Sequence, residues 1–396
     1  MKCKITGKTV SPFMSFGKMP IANGFLSKDK FEKEFFYELE VGFSDDLGLF
    51  QLNDHPKPKM MFNENYPFFT GSSQQMKFHF KDYANWIKKY HSTKIKNIIE
   101  IGSNDGTFLK NFNSDDFNVL GFEPSINVAA RASKNNVNTV SDFFNKESAN
   151  EQKKFINNTD LICAANVICH VPDLSNLIQS VDLLLNKSGL FVFEEPYLGS
   201  MFKKISYDQI YDEHIFIFSA TSVKKIFSLF DMELIDIFPQ VTHGGSMRYV
   251  IGRKNIHKIN KNVDKILKNE NLENLDNISS CQKFKKNCEL SRSKTRESLL
   301  NFKANNSKVA GYAATSKSTT VLNYCNIDNK VIDYICDTTP EKIGKFTPGT
   351  HIPVVDMSYF KNFRPDVAYL FAWNHKEEIF KKEKDYKGKW FSHVAL

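Results

Sequence analysis

The feature that most constrains this chain is an alternation. Short apolar runs at residues 97–101, 118–123, 160–165 and 189–195 are separated by amphipathic stretches. Strands spaced in this way, with helices between them, build βαβ units and so a parallel sheet covered on both faces. The expected fold class is α/β, with a Rossmann-like sheet at its centre. Residues 246–252 read as a closing edge strand of that sheet. Ahead of it, segment 75–90 places Phe78, Tyr83, Trp86 and Ile87 at the spacing of one apolar helix face.

The flanking segments differ in kind. The first 75 residues show little helical periodicity and are rich in Phe, Pro and Gly, as in Phe13-Met14-Ser15-Phe16-Gly17, so a small, irregular, partly β module is expected. Residues 255–303 are polar, lack Gly and Pro, and carry Ile259, Val263, Ile266 and Leu267 at helical spacing. They predict long helices bridging two domains. A second α/β pattern opens at Ser307-Lys308-Val309-Ala310-Gly311 and runs to the end. Three units follow, at 1–75, 76–253 and 254–396.

Composition serves to exclude. The 53 Lys and Arg against 45 Asp and Glu leave +8, spread along the chain without a dense basic block. Nucleic acid is therefore not the expected partner, and the surplus suits an anionic small molecule. Cys3, Cys163, Cys169, Cys281, Cys288, Cys325 and Cys336 are scattered and odd in number, which predicts reduced thiols and a cytoplasmic setting. No stretch approaches the ~18 apolar residues of a membrane span, and the start lacks the apolar run of a secretory signal. The expectation is a chain neither exported nor membrane-bound, with its oligomeric state left open.

Glu100-Ile101-Gly102-Ser103-Asn104-Asp105-Gly106 follows one strand run and precedes Thr107-Phe108-Leu109-Lys110. Glycines there let backbone approach a ligand closely. A dinucleotide fingerprint needs Gly-x-Gly-x-x-Gly, whereas this loop is Gly-x-x-x-Gly with Asn104 where a glycine would sit. The carboxylate of Glu123, at the end of the next strand run in Gly121-Phe122-Glu123-Pro124, suits both hydroxyls of a ribose instead. This pattern resembles the class I S-adenosylmethionine-dependent methyltransferases. The resemblance implies S-adenosyl-L-methionine as cofactor. Glu100, Gly102, Asn104, Asp105 and Gly106 would border its methionine and ribose, Glu123 and Pro124 the ribose, and Asp142 and Phe143 the adenine, with Asn166 near the reacting end.

Chemistry concentrates in Tyr207-Asp208-Gln209-Ile210-Tyr211-Asp212-Glu213-His214, followed by the apolar Ile215-Phe216-Ile217-Phe218. An imidazole titrates near neutrality, so His214 can take a proton, with Glu213 or Asp212 to orient it. Tyr211 can donate to a developing oxyanion. Further blocks occur in order: Tyr66-Pro67-Phe68-Phe69-Thr70-Gly71-Ser72-Ser73, this Tyr-Asp-Glu-His, His243-Gly244-Gly245-Ser246-Met247-Arg248, and Gly311-Tyr312-Ala313-Ala314-Thr315-Ser316-Lys317. Asp337-Thr338-Thr339-Pro340-Glu341-Lys342, Thr347-Pro348-Gly349 and Phe371-Ala372-Trp373-Asn374-His375 complete the series. Together they resemble the three-domain sugar-nucleotide C-methyltransferases that make methyl-branched deoxysugars, and most closely those acting at C3 of a TDP-linked 4-keto-deoxysugar.

That resemblance implies a catalytic group of Tyr66, Tyr211, Glu213 and His214. His214 would be the base, oriented by Glu213. Tyr211 or Tyr66 would stabilise an enolate oxygen or relay the proton, and the division among the four stays open. A nucleotide-sugar, TDP-linked, would meet His170, His243, Arg248, Pro348, Gly349, Asn374 and His375, with Lys317 and Ser318 at its diphosphate. Gly311 to Ser318 almost spells a phosphate loop, but Ser316 stands where the second glycine belongs, which argues against an ATPase or kinase.

The family's first domain holds zinc through two Cys-x-x-Cys pairs. Here the matching stretches read Cys3-Lys4-Ile5-Thr6 and Ser44-Asp45-Asp46-Leu47, so no zinc is expected and Phe-rich packing is to replace it. Two other readings compete with C-methylation: O- or N-methylation of a sugar, which needs no enolate stabiliser, and a non-catalytic sugar-nucleotide-binding protein.

Overall fold

The computed structural model describes every residue except Asn65, Ser92, Thr93 and Asn113. Its N-terminal sheet contains β1 (Pro12–Pro20), β2 (Phe36–Ser44) and β3 (Leu49–Leu52), all antiparallel. In β2, Tyr37, Leu39 and Val41 point inward while Phe36 and Glu38 face solvent, the period of two that a half-buried strand requires.

The central sheet holds β4 (Asn97–Ile101), β5 (Asn118–Phe122), β6 (Thr139–Val140), β7 (Thr159–Ala165) and β8 (Leu185–Pro196) in parallel. The two-residue β9 (Phe216–Ile217) leaves this sheet and pairs with β3, so the middle of the chain completes the first sheet. After it come β10 (Met232–Gln240) and β11 (Ser246–Arg253), and the seven strands lie in the order β10-β11-β8-β7-β4-β5-β6. The run at 246–252 is thus not the edge that its sequence position suggested. It pairs antiparallel with both β8 and β10. The true edge, β10, buries Met232, Leu234, Ile235 and Ile237, a pattern interrupted by Asp236 and missed for that reason.

The C-terminal unit is a parallel sheet of β12 (Val309–Tyr312), β13 (Ile335–Asp337), β14 (Val354–Asp356), β15 (Val367–Leu370) and β16 (Lys389–Phe391), ordered β14-β13-β12-β15-β16. Helices Lys261–Leu272 and Ile278–Ala304 lead into it. The second buries Cys281, Phe284, Cys288 and Leu299 in a core that also takes Val41 and Phe50 from the first sheet and Val309 and Tyr369 from the third. One apolar cluster therefore spans the N- and C-terminal units.

Helix Gln74–Tyr90 starts on Ser73, whose hydroxyl caps the Met76 amide. Its buried face is Phe80, Tyr83, Ala84 and Ile87, whereas Phe78 is 67% exposed and lies off the face assigned to it. Five residues at roughly 100° each set Phe78 about 140° around the helix from Tyr83.

Candidate active site

The carboxyl ends of β4, β5 and β7 form a crevice. Gly102 (φ +66°) and Gly106 (φ +78°) turn the loop after β4 in the left-handed region, and a Cβ on Gly102 would stand 2.4 Å from the Val167 side chain. Glu100, Asp105 and Glu123 are all buried there. Burial, then the charges of Asp105 and Glu123, push the Glu100 carboxyl well above its ordinary pKa. Glu123 is also raised by burial, although it accepts from the amides of Asn104 at 3.1 Å and Ser125 at 2.8 Å. Three carboxylates thus converge on one crevice. Asn166, at the end of β7, has a left-handed backbone (φ +57°). Asp142 is exposed with Phe143 half-buried beside it, and Pro124, next to Glu123, is half-buried.

The loop from Tyr66 to Ser73 is latched onto this crevice, which the sequence did not foretell. Asn104 Oδ1 accepts from the Thr70 amide at 2.8 Å, and Asp105 Oδ2 accepts from the Gly71 amide at 2.9 Å. Asn127 donates to the Tyr66 carbonyl at 3.0 Å. The cofactor loop and the tyrosine loop therefore hold each other.

Beside them, the turn after Tyr207–Gln209 buries Tyr211, Asp212, Glu213 and His214 together. His214 Nδ1 faces the Gln209 carbonyl at 2.7 Å, which only a protonated nitrogen can satisfy, so Nε2 carries the lone pair. The Tyr211 hydroxyl donates to that Nε2 at 2.9 Å. Burial, and then the neighbouring His170, hold His214 well below the usual histidine pKa. His170 stacks on His214 with centroids 5.4 Å apart, and burial lowers it to about 4.

Glu213 does not orient His214, contrary to the sequence reading. As neighbours in a turn the two side chains point to different groups. Glu213 Oε1 accepts from Asn23 Nδ2 at 2.7 Å and Oε2 from the Tyr66 hydroxyl at 3.3 Å. Burial, followed by Glu213, Tyr211 and Glu123, raises the Tyr66 phenol well above its ordinary pKa. Asp212 is spent on structure, accepting from the Ala22 amide at 3.1 Å.

The C-terminal unit closes the site from the other side. Lys317 is buried, its ammonium 5.2 Å above the Trp373 ring and without a hydrogen-bond partner. Burial lowers its pKa, with Asp208 acting in the opposite sense. His243, lowered to about 3 by burial and then by Lys317, borders the same space, and Trp373 packs on Gly244. His375 contacts Gln75 at 2.6 Å, with Asn374 half-buried beside it. Gly349 lines a separate cavity of about 610 Å³ with Lys28, Phe31, Asn323 and His351, and the Pro348 carbonyl accepts from Asn323 at 3.1 Å.

Two residues expected at the substrate are committed elsewhere. Arg248 stands opposite Glu194 in the β11–β8 register, donates to it at 2.7 Å, and lies 3.9 Å over the Tyr83 ring. Its charge is neutralised inside the sheet. The Ser318 hydroxyl donates to the Thr315 carbonyl at 2.5 Å and is fully buried, while the Thr315 hydroxyl caps the helix at the Ser318 amide.

The sequence gives no role to Asn23 or Glu195, and Asp208, Gln209, Lys342 and Trp373 stand in its motifs without one. Asn23 sits in Pro20-Ile21-Ala22-Asn23-Gly24-Phe25, where a lone amide in an apolar loop was the available signal. Lys342 donates to the Ala314 carbonyl at 2.7 Å, and the charge of Glu213 acts on it from across the cleft. Glu195 Oε1 takes the amides of Val167, Ile168 and Cys169 at 2.9, 2.6 and 3.3 Å, fixing the turn that carries His170. No spacing rule exposes such a contact.

Three families match the chain in order: "Putative zinc binding domain" over residues 3–62, "Methyltransferase domain" over 75–237 and "C-methyltransferase C-terminal domain" over 241–394. The C-methyltransferase NovU of Streptomyces niveus is 27% identical over 376 residues, spanning 94% of this chain and 89% of NovU. Among solved structures, the PH0226 protein of Pyrococcus horikoshii OT3 matches 47% of this chain and 95% of its own, at 14% identity and a TM-score of 0.39. Magnesium protoporphyrin IX methyltransferase from Synechocystis PCC 6803, with bound SAH, matches 45% and 83%, at 13% identity and a TM-score of 0.35. Among the described residues no helix is long and apolar enough to cross a membrane.

The residues of the crevice fit S-adenosylmethionine. Glu100 Oε2, Ser103 Oγ and Asn166 Oδ1 are buried without partners, and the carboxylates around them suit a ligand carrying an ammonium, a sulfonium and ribose hydroxyls. The residues of the first domain do not fit zinc. Cys3 is 2% exposed and packs in one apolar cluster with Val10, Leu47 and Leu49, while Asp46 is paired with Lys8 at 2.6 Å. One thiol and a leucine do not make a tetrahedral site.

Proposed function

This chain belongs to the three-domain C-methyltransferases that use S-adenosylmethionine, and from that premise we propose that it methylates a nucleotide-linked 4-keto-deoxysugar, at C3 and through an enolate. The observation that carries the reading is the paired arrangement of Tyr211 on His214 and Tyr66 on Glu213, at the edge of the cofactor crevice. Bound S-adenosylmethionine supplies the methyl as an electrophile.

Carbon beside a ketone becomes a nucleophile only after losing a proton, while something steadies the oxygen left behind. His214 is the proton acceptor. Its Nδ1–H is fixed on the Gln209 carbonyl, and its lone pair faces the Tyr211 hydroxyl. The sugar proton passes to Tyr211 as the phenolic proton passes to His214, so one C–H bond breaks and one N–H bond forms. The Tyr66 hydroxyl, whose single proton points to Glu213 Oε2, swings that proton to the enolate oxygen as its charge develops. The Thr70 and Gly71 contacts keep Tyr66 in register with the crevice, and most of the remaining barrier is met by positioning.

The nucleotide end has room in the cavity of about 610 Å³ between the first and third units, where Gly349, Asn323, Lys28 and the Phe31 ring provide polar and aromatic contacts. The buried Lys317 ammonium suits the diphosphate.

The test is incubation with TDP-4-keto-deoxysugars in deuterated buffer. Wild type is expected to exchange the C3 hydrogen without cofactor and to add one methyl with it. His214→Asn should lose about 10²–10⁴-fold in both. Methyl transfer without exchange in a competent enzyme favours an O- or N-methyltransferase. Sugar binding with neither reaction marks a binding protein.

A further inference from the structure

We propose that Cys169, His170 and His214 form a binding site for a soft divalent cation of the zinc type, and that filling it switches methyl transfer off. The site is distinct from the one the first domain has lost. One ligand atom from each of the three side chains lies within 4.8 Å of the other two. His170 Nε2 is buried without a hydrogen-bond partner. His214 donates its Nδ1–H to the Gln209 carbonyl at 2.7 Å, the outer contact that metal-binding imidazoles commonly make, and this leaves Nε2 as the coordinating atom. Cys169 and His170 lie on a turn that Glu195 grips through three amides, so two of the ligands are set on rigid backbone.

The donor set selects the cation. One sulfur and two imidazole nitrogens suit zinc, cobalt or copper, not magnesium or calcium. Bonds of ~2.0–2.3 Å bring tetrahedral ligands to roughly 3.5 Å apart, so the three side chains close by about an ångström on binding. Cys169 gives its thiol proton to the buffer, and the sulfur lone pair makes the bond. The Tyr211 hydroxyl, which stands 2.9 Å from His214 Nε2, yields that nitrogen to the metal. With the lone pair in a metal bond, His214 accepts no proton. The switch rests on the role given to His214 above; the binding site does not.

The full-length chain, freed of metal, is titrated with Co²⁺ while the thiolate-to-cobalt charge-transfer absorption is followed. One cobalt per chain is expected, displaced by Zn²⁺. The absorption should vanish in Cys169→Ala and in Cys169→Ser and persist in Cys3→Ala. Absorption that survives both Cys169 variants, that is lost in Cys3→Ala, or that never appears with excess Co²⁺ overturns the site. Stoichiometric Zn²⁺ should then cut methyl transfer at least about tenfold, a chelator should restore it, and Cys169→Ser should resist zinc by a similar factor. Cobalt on Cys169 with methyl transfer indifferent to Zn²⁺ overturns the switch and leaves the reaction intact. If metal-free enzyme transfers no methyl at all, the proposed reaction fails, and the cobalt titration still decides the site.

Discussion

At the scale of single residues, the site is a set of titratable groups held away from their ordinary ranges by burial. His214 must be neutral to accept a proton, and its pKa lies well below the usual value. The sign follows: activity is lost only as pH falls through that lowered value, so the acid limb of kcat/KM should lie below about 6.5. A limb at or above that point would show that another group titrates. Tyr66 makes its contribution only as the enolate forms, so Tyr66→Phe should cost about 10²–10³ in kcat with little change in KM, read by steady-state kinetics. Glu195 tests burial itself. Its carboxyl is pushed up to about 7, burial outweighing the amides of Val167, Ile168 and Cys169 that favour its charge. A raised acid contributes its full stability below its unfolded pKa and loses it as pH rises through the folded one. Glu195→Gln removes that dependence, so relative to wild type it should gain about 3 kcal/mol between pH ~4.5 and ~7. Thermal melts of both proteins across that window give the difference.

At the scale of elements, short irregular segments do what the regular ones cannot. The turn Thr242–Gly244 presses against Trp373–His375, with Gly244 at φ +83° and the Trp373 ring where a Cβ would be. Gly244→Ala should cost about 1–2 kcal/mol for the left-handed backbone alone, and more as the indole moves, lowering the melting temperature and weakening substrate binding together. The regular elements were legible. Apolar runs separated by helices placed β4, β5, β7 and β8, and the Gly102 to Gly106 loop placed the cofactor crevice, because periodicity and glycine are local signals. What remained hidden is non-local. Arg248 reads as a substrate contact until β11 pairs with β8 and puts Glu194 opposite it. Glu213 reads as a partner for His214 until the Pro20-to-Phe25 loop arrives with Asn23. Phe78 differs for a simpler reason, since its place about 140° from Tyr83 puts it off the buried face.

At the scale of the whole molecule, the site exists only because three units close on it. The first unit packs Cys3 against Leu47, so in Cys169→Ser, which lacks the proposed second-unit site, prolonged chelation should leave the melting transition unchanged; a fall on chelation in that variant, reversed by zinc, would contradict the packing. The tie between the second and third units is sharper. Asp208, one residue before Gln209, is fully buried. Its Oδ2 accepts from Trp373 Nε1 at 2.7 Å, and its Oδ1 lies 3.2 Å from His393 Nε2, with an alignment that falls short of a hydrogen bond. His393 is positioned in turn by the Tyr369 hydroxyl at 2.9 Å. Burial alone would raise Asp208, yet His393, Lys317 and Trp373 hold it below its ordinary value, so it is charged in the folded chain. Taking a polar partner from a buried carboxylate leaves it short of compensation, at about 1–3 kcal/mol. His393→Ala should therefore destabilise the protein by that order, and should slow methyl transfer through Gln209, whose carbonyl fixes the His214 ring. Adding Asp208→Asn should recover much of the lost stability, because the stranded charge is gone and an amide still meets Trp373. A double variant no more stable than His393→Ala would mean that His393 acts through its packing against Tyr207 instead.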